Sequence, residues 1–176
     1  MIEPQAIYHP LYTDNEKFII LITGGRGSGK SFNASTFIER LTFEMTEKIE
    51  LDGTIKYFKT TKTDIVNKMT KSRIMFRGIK TSSGNQTAKL KSIQGITTFV
   101  CDEAEEWTNE EEFDKIMLSI RKKGIQNRII IIMNPCDSNH FIYKKYIENT
   151  HKLVEIDGVQ VQVSTHPNVL HIHPTY

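Results

Sequence analysis

Apolar positions along the chain recur with two periods. Phe18-Ile19-Ile20-Leu21-Ile22-Thr23 is a short β-rich run, the pattern of a buried strand. Ala34, Phe37, Ile38 and Leu41 fall at i, i+3, i+4 and i+7, one face of a helix from Ser31 to Glu44 or beyond. Ile55–Phe58 predicts a short strand, Thr63–Thr70 a helical or irregular stretch, and Arg73–Arg77 a further strand. Thr81–Gln86, TSSGNQ, reads as a loop. Thr97–Cys101 predicts a strand that ends on two acids. Thr108-x-x-Glu111 has the form of a capping box ahead of Phe113, Ile116, Met117 and Ile120 on one helical face. Arg128–Met133 predicts a buried strand stopped by Asn134-Pro135, and Phe141–Asn149 a helix. Leu153–Ile156 and Val159–Val163 flank Asp157-Gly158, a strong hairpin signal, and Val169–His173 is a last strand. Strands alternating with helices imply an α/β fold: a mostly parallel central sheet flanked by helices, with a C-terminal β-hairpin.

Composition bounds this picture without changing it. At 176 residues the chain has the size of one domain, with a quarter of its residues charged and 38% hydrophobic. Its longest apolar runs fall well short of a membrane span. MIEPQAIYHP has neither a basic start nor an apolar core, so no signal peptide is expected. Cys101 and Cys136 are too few for a disulfide framework, and an intracellular setting is expected. The net charge of +2 is unevenly spread. Lys56 to Lys91 carries ten Lys/Arg and one acid, Asp64, whereas Asp102 to Asp114 carries eight acids and no base. The basic stretch suits a nucleic-acid backbone or a plain solvated face, and charge alone does not decide.

The chemistry begins between the first strand and the first long helix, where the chain reads GGRGSGKSF. Gly24, Gly29, Lys30 and Ser31 satisfy G-x-x-x-x-G-K-[ST]. Glycines at 24, 25, 27 and 29 let backbone N–H groups approach phosphate oxygens with no Cβ in the way. The following helix N-terminus adds unpaired donors and partial positive charge. The expected nucleotide-binding set therefore runs through Gly24, Gly25, Arg26, Gly27, Ser28, Gly29, Lys30, Ser31 and Phe32. Lys30 is placed to reach the β/γ-phosphates of ATP and Ser31 to ligate Mg²⁺.

TTFVCDEAEEW supplies the complement. A strand delivers Asp102 and Glu103 at its C-terminal end, where open α/β sheets bind ligands. Asp102 is expected to share the Mg²⁺ shell with Ser31, and Glu103 to polarise a water in line with the γ-phosphate. Glu105, Glu106 and Glu110–Glu112 read instead as a surface acidic cluster. Asn134, at the end of the next strand, is a candidate sensor of the γ-phosphate or the attacking water. His166, His171 and His173 accompany no Cys pair and are not expected to form a zinc site.

GGRGSGKS, IMFRGIK, LKSIQGITTFVCDEAEEW, SIRKKG and IIIIMNPCDSNHFIYKKY, in that order over most of residues 18–147, resemble the ATPase domain of tailed-phage terminase large subunits of the PBSX-like kind. The resemblance implies a RecA-like, ASCE-type P-loop NTPase fold. It implies a motor that uses ATP and Mg²⁺ to pump double-stranded DNA into a preformed capsid. The implied partners are the portal protein and the small terminase subunit, with a homo-oligomeric ring at the portal vertex in the host cytoplasm and no membrane. By the same resemblance Arg26 is an arginine finger on the γ-phosphate, Asn134 belongs to the coupling motif, and Arg121 is a candidate for an arginine crossing to a neighbouring subunit. IYHPLY resembles the adenine-contacting segment, with Tyr8 or Tyr12 stacked on the base.

Two departures accompany it. Residues 1–176 read as the ATPase domain alone, without the family's nuclease domain, so nuclease activity is not expected. A family strand of ILxxR type is missing after the first long helix, and Glu44–Met45 reads as the join across an absent stretch. A helicase-like DNA-dependent ATPase and a non-hydrolysing nucleotide-binding assembly module remain the alternative functions.

Overall fold

A computed structural model of the chain describes residues 5–42, 57–76, 95–135 and 137–174. Nine strands, β1 (Ile19–Ile22), β2 (Phe58–Thr60), β3 (Asp64–Asn67), β4 (Arg73–Met75), β5 (Thr98–Cys101), β6 (Arg128–Ile132), β7 (His151–Ile156), β8 (Val159–Ser164) and β9 (Val169–Ile172), form three sheets among these residues. The helices are α1 (Pro10–Thr13), α2 (Lys30–Leu41), α3 (Glu110–Met117) and α4 (Phe141–Tyr143), the last continuing into a π-helical turn over Lys144–Glu148.

The central sheet is parallel throughout, in the order β5-β6-β1-β9. Its inner strands β1 and β6 are buried at every position, as expected for a parallel sheet covered on both faces. Period-2 alternation then sorts the side chains. Ile20, Ile22, Ile130, Ile132 and Ile172 pack with Tyr8, Leu11, Ala34 and Phe37 on the α1/α2 face. Ile19, Leu21, Ile129, Ile131 and Val169 pack with Trp107, Phe113, Ile116 and Ile142 on the other. This is the α/β sandwich of helices on a parallel sheet that the alternating pattern predicts. The P-loop strand β1 and the acid-bearing strand β5 are not neighbours: β6 lies between them.

The β7–β8 hairpin pairs His151 with Ser164 and Ile156 with Val159, and Asp157 and Gly158 turn with φ 50° and 76°. Positive φ at both turn residues is what the Asp-Gly pair supplies. β2–β4 form a small antiparallel sheet. There the expectation of helix or irregular chain over 63–70 is corrected, because Ile65 and Val66 pair between neighbouring strands and Asp64 binds Arg73 at 3.0 Å. The side chains of Thr70 and Asn67 reach the Thr42 carbonyl, at 2.7 and 3.4 Å, and so dock this sheet on the C-terminal end of α2.

Two local expectations shift. The N-cap of α3 is Asn109, whose Oδ1 accepts from Glu112 N at 3.0 Å, and not Thr108. Trp107 is buried and donates its indole N–H to Asn109 O at 2.9 Å, which sets the register one residue later. The end of the first long helix at Glu44, the Glu44–Met45 join and the 81–86 loop lie outside the described residues. No helix among the described residues is long and apolar enough to cross a membrane.

Candidate active site

Strand β1 runs straight into the phosphate loop, and glycine is required at two of its turns. Gly24 has φ +141°, and a Cβ there would stand 2.7 Å from the Pro174 carbonyl oxygen. Gly29, with φ +78°, is the N-cap of α2 and brings no side-chain cap. The first amides of α2 therefore keep their hydrogens for a ligand, with the helix dipole behind them. Lys30 is buried, and its Nζ donates to Gly24 O and Gly25 O at 2.7 Å each and to Asn134 Oδ1 at 3.2 Å. Burial pulls this ammonium below the usual lysine range, while Glu105 and Asp102 draw it back.

A cleft of about 420 Å³ opens over the loop. Arg26, Ser28, Ser31, Asp102, Glu103 and Asn134 all contribute to its wall, as do Gly27, Gly29, Lys30 and Phe32. Ser31 Oγ donates to Asp102 Oδ1 at 3.2 Å across 71 positions of sequence. A hydroxyl and a carboxylate on opposite walls, beside a lysine and open helix amides, are the hard oxygen donors that Mg²⁺ takes when phosphate supplies its other oxygens. The donor set fits that ion.

The segment after the acid strand is held so that Asp102, Glu103 and Glu105 line the cleft. Ala104 is fully buried and Trp107 nearly so, Trp107 packing edge-on against Phe113 and Phe99. Immediately before Ala104, Glu103 adopts a left-handed backbone, φ 52° and ψ 44°. A non-glycine residue in that conformation costs energy, and such residues cluster at functional sites. Its neighbour Cys101 is buried, and burial, then Asp102 and Glu105, pushes the thiol up to about 12. Cys101 is a packing group.

Because β6 intervenes between β1 and β5, Asn134, two residues past its C-terminal end, stands between their loops. Asn134 accepts from Lys30 on one side. On the other it donates from its backbone N to Glu105 Oε2 at 3.1 Å and from Nδ2 to Glu105 Oε1 at 2.5 Å. Glu105 is the residue that sequence reasoning misplaced. Read as one of a surface acidic cluster, it lines the cleft and grips Asn134. Only the short 3-10 turn Ala104–Glu106 separates it from its exposed neighbour Glu106, and the sequence carries no signal for that turn.

Neither tyrosine lines the cleft over the loop. Tyr8 is fully buried in the core and donates its hydroxyl to Ser28 O at 2.9 Å, so it braces the loop from behind. Tyr12 packs edge-on against Phe37 with the Arg40 guanidinium over its ring. The stacking role is corrected for Tyr8, whose ring is fully covered by protein; Tyr12 is half-buried. Phe32, by contrast, is 57% exposed at the cleft. Arg121 is exposed and outside the cleft, its Nε donating to Leu118 O.

Comparison with known proteins places this architecture. A search of curated proteins finds no significant match. The sequence profile described as phage terminase large subunit matches residues 41–176. The matched part holds the acid strand, Asn134 and the hairpin, and the loop of residues 24–31 precedes it. With more than three quarters of its length matched, the chain belongs to the phage terminase large subunit family.

Proposed function

We propose that this domain hydrolyses ATP with Mg²⁺ and that the hydrolysis drives double-stranded DNA into the phage procapsid. The supporting observation is the approach of Ser31 to Asp102, 3.2 Å apart across a cleft floored by the phosphate loop. The family's role in phage DNA packaging supports the substrate.

In this reading the loop amides and the N-terminus of α2 bind the phosphates. Lys30 exchanges its carbonyl and Asn134 contacts for β/γ-phosphate oxygens. Ser31 and Asp102 hold Mg²⁺, which when bound neutralises charge on those oxygens. Glu103 takes a proton from water as the water oxygen bonds to the γ-phosphorus. The bond from that phosphorus to the β–γ bridging oxygen breaks, and ADP and phosphate leave. Arg26, exposed on the rim, offsets charge on the transferring phosphoryl group. Asn134 exchanges partners with Lys30 as nucleotide comes and goes, which suits a coupling residue. Portal protein, small terminase subunit and a homo-oligomeric ring at the portal vertex in the host cytoplasm complete the proposal, with Arg121 placed to reach a neighbouring subunit.

ATP binding and phosphate release by two variants test the assigned roles. Lys30→Ala should lose ATP affinity, because a phosphate-facing charge is removed. Glu103→Gln should keep the affinity and slow hydrolysis about 10²-fold or more. Equal loss of affinity in both would overturn the assignment. Binding without hydrolysis in the wild-type chain would favour the non-hydrolysing assembly module.

A further inference from the structure

Behind the phosphate loop, on the side away from the cleft, lies a hydrogen-bonded chain that the proposed chemistry does not use. Thr23, the last residue before the loop, is 8% exposed. Its Oγ1 is 2.7 Å from His171 Nε2 and 2.7 Å from His173 Nδ1. On its far side His171 Nδ1 is 2.8 Å from the backbone N of Ser164, at the end of β8. A backbone N–H can only donate, so His171 Nδ1 accepts. Neutral His171 then carries its hydrogen on Nε2 and donates it to Thr23, whose own hydrogen goes to His173 Nδ1. In this assignment the hydrogens of Ser164 N, His171 Nε2 and Thr23 Oγ1 each have an acceptor. Burial and the neighbouring His173 push the pKa of His171 down to about 4, and burial and Lys30 lower that of His173, so both rings stay neutral at pH 7.

The chain ends on the loop itself. Thr23 N donates to Ile172 O at 3.0 Å. The next residue, Gly24, supplies a carbonyl that receives Lys30 and is itself close against Pro174. Main-chain pairing fixes one side of Thr23, and the two imidazoles fix its side chain. We propose that Ser164, His171, Thr23 and His173 form a positioning relay that sets the first turn of the phosphate loop, and with it the Gly24 carbonyl that holds Lys30, for nucleotide binding. The relay rests on the reading of the loop as a nucleotide site. Its residues touch no phosphate; they act through Gly24 and Lys30.

Titration of the full chain with ADP and Mg²⁺, beside its thermal midpoint, tests the relay. Thr23→Val keeps the shape and removes both side-chain bonds, and should weaken ADP binding about tenfold, the scale of one or two lost hydrogen bonds. Thr23→Ser restores the hydroxyl and should bind as the wild type does. His171→Asn keeps an acceptor toward Ser164 but loses the donor to Thr23, and should match Thr23→Val. Equal ADP affinity in all four proteins would overturn the relay and leave the nucleotide site standing, even if the thermal midpoints differ. Failure of the wild-type chain to bind ADP would overturn both. If Thr23→Val does not fold, His171→Asn decides; loss of fold in both would make the residues structural and overturn the relay.

Discussion

Glu105 sits two residues beyond the acid pair and holds Asn134 through both carboxylate oxygens. Bonds to a charged group are worth about 1.5–3 kcal/mol each, so Glu105→Ala frees the Asn134 amide and removes one of the two carboxylates that act on Lys30. Turnover should fall about tenfold or more with ATP affinity nearly unchanged, as measured by single-turnover hydrolysis and equilibrium binding. Arg26→Ala should show the same split more strongly, about 10³-fold, because an arginine on the transferring group acts mainly in the transition state. A residue-scale effect on stability follows from His171. Its folded pKa, about 4, lies below the ordinary 6.5, so the unfolded chain takes up the proton first as pH falls. The stability this histidine contributes is present above pH 6.5 and is lost as pH drops toward 4. Urea midpoints at pH 7.5, 5.5 and 4.5 should fall for the wild type and fall less for His171→Asn. Parallel curves for the two would contradict this.

At the scale of elements, Gly24 and Gly124 separate close approach from turn conformation. Both have positive φ, but a Cβ at Gly24 meets Pro174 O at 2.7 Å while one at Gly124 meets nothing within 4 Å. Gly24→Ala should cost about 1–3 kcal/mol of stability and weaken nucleotide binding. Gly124→Ala should cost less and leave binding alone, which thermal melts with ADP would show. Most elements were legible because their causes are local. The run IIIIM at 129–133 can only be a buried segment, Asp157-Gly158 dictates its hairpin, and Gly-Lys-Ser after β1 dictates a loop and helix. What was not legible depends on pairing and packing that no turn or cap signal announces. Ile65 and Val66 became a strand because two neighbours pair with them. Glu105 turned inward because Ala104 and Trp107 are anchored in the core on either side of it. Tyr8 went behind the loop because its hydroxyl finds Ser28 O there. The histidines at 171 and 173 read as plain strand residues, since nothing local to them shows that Thr23 lies between their rings.

For the whole molecule, α2 joins the cleft to the basic surface. α2 begins at Lys30 in the cleft, and its C-terminal carbonyl at Thr42 is held by Thr70 and Asn67 of the β2–β4 region. That region exposes Lys59, Lys62, Lys68 and Lys71. These two hydrogen bonds join the helix that starts at the phosphate loop to a lysine-bearing surface, and contacts from such a surface to a nucleic-acid backbone are the expectation tested below. Such contacts carry no sequence information and weaken steeply with salt through counterion release. The central claim, an ATPase that works on duplex DNA, is tested most directly by steady-state phosphate release from ATP and Mg²⁺ with and without long duplex DNA, at 50 and 200 mM salt. Duplexes of unrelated sequence should stimulate hydrolysis equally, the stimulation should fall steeply at the higher salt, and Glu103→Gln should abolish it. Hydrolysis indifferent to duplex DNA at both salt concentrations would contradict the central claim.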